Sequence, residues 1–234
     1  MASNRVEVVL VHGAWADGSS WSRLIPPLAA AGVRVVAAPL PLTSFHDDLT
    51  ALDRALARTE GPLVLAGHAY AGAVISAMSS ERIRALVYVA ALAPAEGETV
   101  ADAFYRGEAD RLAPELTPDA HGLIYLPDAA FAAAFAQHAS ADELAVLTAV
   151  QRPIATACIA VPVPRPLWQD RPCWFLIAEH DRMIAPDNQR FMATRMRARA
   201  RSRAVDHMPM VTAPGAVLDL LREAIAVVSA EPHP

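Results

Sequence analysis

The chain has 234 residues, 54% of them hydrophobic and 19% charged, with a formal net charge of −5. That length gives a prior of one to two domains, and its apolar content suffices to bury a large core, so intrinsic disorder is excluded. The acidic balance argues against nucleic acid or an anionic membrane as partner; all 20 basic residues are arginine, so phosphate-loop, Schiff-base and kinase chemistry each lack their lysine.

The β-branched, mostly apolar run at 6–11, with Glu7 inside it, predicts a buried strand that stops at His12-Gly13. Residues 19–31 follow, with Trp21, Leu24, Ile25 and Leu28 at helical spacing and Gly32 at the end. A strand is expected at 33–38, an amphipathic helix at 45–59 with Leu49, Leu52 and Leu56 on one face, and a third strand at 62–66. An alanine-rich helix at 71–80 and a strand at 83–90 continue the alternation. It returns only at 173–178 (strand), 188–199 (helix), 203–205 (short strand) and 216–229 (helix). Such alternation indicates a mostly parallel sheet flanked by helices. The block at 91–172 has helical patterns and no convincing strand. It reads as a helical cap, inserted at about 95–170 within a single domain spanning 1–234, over the sheet edge where open α/β folds bind ligands.

Three loops leaving strand ends carry residues suited to chemistry. In the first, His12-Gly13-Ala14-Trp15, a small residue with an inward amide is what an oxyanion site needs. The second, Gly67-His68-Ala69-Tyr70-Ala71-Gly72, has the form of a G-x-S-x-G nucleophile elbow. Ala71 is small enough for its place, but Ala69 stands where the serine belongs. The third is Glu179-His180-Asp181-Arg182, and 26 residues after Asp181 comes His207, past the last strand. Adjacent side chains on a strand point to opposite faces, so Asp206 is a poor partner for His207 and Asp181 the better one.

Residues 9–21, 65–75 and 181–214 resemble the α/β-hydrolase superfamily, in the branch of small cofactor-free esterases that includes plant methyl esterases, hydroxynitrile lyases and bacterial relatives. The resemblance covers nearly the whole chain and is weakest in the cap. It implies an α/β-hydrolase fold and hydrolysis of a carboxylic ester or lactone through a Ser-His-Asp triad, without metal or cofactor. Asp181 and His207 then serve as two triad members, the amides of Ala14 and Tyr70 form the oxyanion hole, and the nucleophile position falls on Ala69.

Three readings of that alanine stand open. In the preferred one, serine has been replaced by alanine to trap an intact substrate. Elbow residues are held in strained geometry, and a scaffold relieved of function would more plausibly carry glycine there. The others are a natural non-catalytic small-molecule binding protein and an enzyme that uses His207–Asp181 as a general base, of lyase or cofactor-free oxygenase type. Ser76, two helical turns on, cannot substitute.

Position suggests that Trp15, Leu92, Met208 and, from the cap, Phe104, Tyr125, Phe131, Phe135 and Trp168 line a substrate site, about half of the cap aromatics lying in cap core instead. No arginine is clearly placed there, so a largely apolar ester or lactone is the expected partner. His12 and His68 are read as loop-orienting residues, His46-Asp47-Asp48 as acidic capping of a helix start, and the arginines from 195 to 203 as a solvated helix end and turn. Cys158 and Cys173 read as buried apolar residues. The run at 6–11 is too short and too early for a signal peptide and no apolar run approaches 18 residues, so a soluble, cytoplasmic protein is expected, as monomer or homodimer.

Overall fold

The computed structural model describes residues 5–230. Its chain runs β1 (Glu7–Val11), α1 (Ile25–Ala30), β2 (Arg34–Ala38), α2 (Phe45–Leu56), β3 (Leu63–His68), α3 (Ala71–Ser76) and β4 (Ile83–Val89). An insertion follows with α4 (Val100–Phe104), β5 (Leu123–Ile124), α5 (Asp128–Ala130), a π-helical turn at Phe131–Phe135, α6 (Ala141–Ala149) and β6 (Ile154–Ala155). The chain then returns through β7 (Cys173–Ala178), α7 (Pro186–Arg195), β8 (Arg199–Arg203), α8 (Pro209–Thr212) and α9 (Pro214–Ala230).

Six strands make one sheet in the order β2-β1-β3-β4-β7-β8, every neighbouring pair parallel. A parallel sheet covered on both faces needs strands that are apolar throughout. β1, β3 and β7 are buried at every position, which is why they read as continuous hydrophobic runs. The strand order reverses between β1 and β3, and at such a reversal the loops beyond the strand ends part to leave a crevice. His12 to Trp15 and Ala69 to Tyr70 leave β1 and β3 there.

Several expectations need correction. The helix expected at 19–31 is broken into a 3-10 turn, Gly18–Trp21, and the short α1. Pro26 and Pro27 are tolerated only in a first turn, which forces the helix to begin at Ile25. The stretch expected as a helix end and turn holds β8 instead, displaced from the 203–205 expected, and all five of its residues are exposed. An edge strand with no buried face carries no apolar alternation, so its arginines concealed it. The insertion holds the small antiparallel pair β5–β6 where no strand was expected.

At the start of α2, Ser44 caps the helix by accepting from the Asp47 amide at 3.1 Å, and Asp47 accepts from the Ser44 and Thr43 hydroxyls. Asp48 is not part of this exposed cap: it is fully buried. Its carboxylate accepts from the Leu42 amide at 2.8 Å, the Tyr70 hydroxyl at 2.7 Å and the Cys158 thiol at 3.6 Å. It thereby ties α2 to the elbow and to the insertion. No helix among the described residues is long and apolar enough to cross a membrane.

Candidate active site

The turn after β3 has the backbone of an elbow. Ala69 has φ 48, in the left-handed region that L-residues occupy at a cost of roughly 1–2 kcal/mol. Two close approaches hold it. A Cβ on Gly67 would fall 2.8 Å from the Ala71 carbonyl oxygen, and one on Gly72 would fall 2.4 Å from the Leu92 carbonyl oxygen. Glycine is therefore required at the start of the motif and again at Gly72, one residue past its end, where α3 packs onto the strand ends. The Leu92 and Gly72 amides both donate to the Ala69 carbonyl, at 3.0 and 3.1 Å.

Asp181 and His207, 26 residues apart, meet beside this turn. The His207 Nδ1–H donates to Asp181 Oδ2 at 2.8 Å, and both residues are buried. The carboxylate is held by further donors: the Met183 and Ile184 amides to Oδ1, at 2.8 and 2.9 Å, and Gln189 Nε2 to Oδ2 at 2.8 Å. Gln189 is in turn oriented by accepting from the Ala178 amide at 3.0 Å. A carboxylate so satisfied fixes the imidazole tautomer, leaving the His207 Nε2 lone pair free to take a proton. Asp206 points elsewhere, accepting from the Met208 and His138 amides and the Thr212 hydroxyl.

Two more histidines frame the site as neutral rings. His12 accepts the Leu40 amide at Nε2 (3.0 Å) and bonds through Nδ1–H to the Gly13 carbonyl (2.9 Å); burial pushes its pKa from 6.5 down to about 4. His68 donates from Nε2 to the His207 carbonyl at 2.8 Å, with the two rings 4.7 Å apart. Complete burial, and then the neighbouring His207, holds His68 well below the usual histidine range. Burial raises the pKa of Asp48, against the opposing Tyr70 hydrogen bond, and pushes the Cys158 thiol up to about 12, so that thiol is unreactive. Ser76 is engaged with the Gly72 carbonyl and the Tyr88 hydroxyl, away from the elbow.

A cavity of about 60 Å³ opens over this group, bordered by Ala14, Ala69, Tyr70 and His207. Of the side chains expected to line it, Trp15, Leu92 and Phe104 do. Tyr125 is half exposed on the outside of the insertion. Phe131 and Phe135 form the core of the insertion, their rings 5.3 Å apart, with Phe135 packed between Trp15 and the back of His207. Trp168 bonds to the Pro94 carbonyl and Met208 is fully buried, neither bordering the cavity. Apart from Tyr105, its remaining wall is aliphatic, including Val100, Ile124, Ile154, Ile159, Met183 and Ile184. Trp15 Nε1 donates to the Ile124 carbonyl at 2.9 Å, closing the insertion onto the loop after β1.

Sequence reasoning missed Asp48, Gln189 and this aliphatic wall. Asp48 was findable, since it shares the helical face of the buried Leu52 and Ala55. Gln189 carried no such signal. Among the described residues no group of three or more His, Cys, Asp or Glu side chains is arranged to hold a metal ion.

Residues 8–220 match the model of the alpha/beta hydrolase family. A pyrethroid hydrolase of Sphingobium wenxiniae is 30% identical over 122 residues, a match that takes in 46% of this chain and 44% of that relative. Among solved structures, polyneuridine aldehyde esterase superposes with a TM-score of 0.79 at 19% identity, covering 94% of this chain and 99% of its own. A pyrethroid hydrolase structure does so with a TM-score of 0.80 at 21% identity, covering 97% and 100%. At these identities the superpositions establish the shared fold.

Proposed function

From the premise that this chain belongs to the alpha/beta hydrolase family, we propose that it is a carboxylic ester or lactone hydrolase scaffold whose nucleophile position holds alanine in place of serine. The observation that carries this reading is the complete Asp181–His207 pair standing beside a turn kept in elbow geometry at Ala69. With serine at 69, the hydroxyl oxygen attacks the carbonyl carbon while His207 Nε2 takes its proton. The carbonyl π electrons move onto oxygen, which the Ala14 and Tyr70 amides stabilise. Collapse of that intermediate expels the alcohol, which takes the proton from His207, and water repeats the sequence to release the acid. A methyl group at 69 has no lone pair to donate, so an ester can sit over it intact. By analogy with serine proteases, loss of the nucleophile lowers kcat by on the order of 10⁶. The aliphatic wall favours a largely apolar substrate.

Ala69→Ser tests this directly. Purified variant and parent are compared on simple aliphatic and aryl esters and on lactones, and the variant should exceed the parent by several orders of magnitude in kcat. A variant that hydrolyses no ester or lactone overturns the proposal. A second reading has its own support, the free Nε2 lone pair of His207, which needs no residue 69 to act as a general base. Proton-abstraction chemistry in the unaltered chain, abolished by His207→Ala, distinguishes it.

A further inference from the structure

The catalytic cavity is small and has a larger neighbour. It measures about 60 Å³, against the roughly 10–15 Å³ that a single water needs, so it admits only a short acyl or alkyl chain. Beside it runs a groove of about 430 Å³, lined in part by Gly107, Glu108, Ala109, Ala113, Pro114 and Glu115. Four residues border both spaces: Phe104, Tyr105, Leu116 and Met183. They form a partition one side chain thick.

Two members of the partition are anchored. The Met183 amide bonds to Asp181, and Phe104 ends α4, where Asn188 Nδ2 holds the preceding Ala103 carbonyl at 2.7 Å. Phe104 and Tyr105 pack edge to face at 4.9 Å, and Tyr105 is 64% exposed, so its outer side meets solvent. On its other sides the inner cavity is walled by buried Leu92, Ile124, Ile154 and Ile184. A molecule too long for it meets the groove across these four side chains.

We propose that the site takes esters with two unequal halves, a short apolar one in the inner cavity and a longer one in the outer groove, with Phe104 and Leu116 setting the length limit between them. This rests on the hydrolase reading given above. Both halves of an ester meet at the carbonyl over residue 69, so only one of them can occupy the smaller space. Chain length is therefore limited in one half and tolerated in the other.

Two ester series test this: methyl alkanoates of increasing acyl length, and alkyl acetates of increasing alcohol length, each from one to eight carbons in the varied chain. Hydrolysis is followed in Ala69→Ser, and binding of the same esters to the unaltered chain by calorimetry. In one series kcat/KM and affinity should fall by about tenfold or more as the varied chain lengthens, while the other keeps rising. Phe104→Ala and Leu116→Ala, made separately in case one fails to fold, should each move the limit to longer chains. No limit in either series, the same limit in both, or a limit that neither variant moves overturns the partition. If Ala69→Ser hydrolyses nothing but calorimetry shows the one-sided limit, the hydrolase reading falls and the partition stands. If it hydrolyses both series without a limit, the partition falls and the hydrolase reading stands.

Discussion

Acid should loosen the loop after β1 through His12. This ring is 1% exposed and receives the Leu40 amide at Nε2, so protonating that nitrogen sets one N–H against another in a buried site. The gap between the ordinary value of 6.5 and about 4 in the folded protein amounts to about 3 kcal/mol. Between those values the unfolded chain binds the proton and the folded chain does not. The contribution is therefore fully present above pH 6.5 and is lost as pH falls toward 4. His68, depressed in the same direction, adds to the loss. Urea unfolding from about pH 7.5 to about pH 4 should be measured for the protein and for His12→Gln, whose amide oxygen can still accept from Leu40 and does not titrate. The difference in unfolding free energy between the two should shrink, or change sign, by about 3 kcal/mol across that interval. Parallel curves would refute the argument, because they would mean that His12 takes up its proton equally in both states.

Two further outcomes follow from the site. In an Ala69→Ser background, Asp181→Asn should lower kcat by about 10⁴ with little change in KM, because the amide leaves the imidazole in the wrong tautomer; steady-state kinetics checks this, and a loss below tenfold would remove Asp181 from its role. Ala69→Gly should raise stability by about 0.5–1 kcal/mol, since relief of the left-handed backbone outweighs glycine's added chain entropy. The urea midpoint at constant slope reads it, and a decrease would mean the elbow is not strained.

What could be read from residue order alone was whatever the backbone demands locally. The mostly apolar strands β1, β3 and β7, the glycines at 67 and 72, and the order of elbow, acid and histidine are each written in short stretches. There, a covered sheet face or a close backbone approach admits few residue types. β8 was obscured for the converse reason, since an exposed edge places no demand on its side chains. Only the tertiary structure decided that Asp48 lies beneath the elbow, that Gln189 holds Asp181, and that Phe131 and Phe135 fill the insertion while aliphatic residues such as Ile159 face the cavity. Those partners come together across separations such as the 110 residues from Asp48 to Cys158. Which of two buried faces a side chain joins is settled by packing among distant segments, and a hydrophobic residue is equally suited to either.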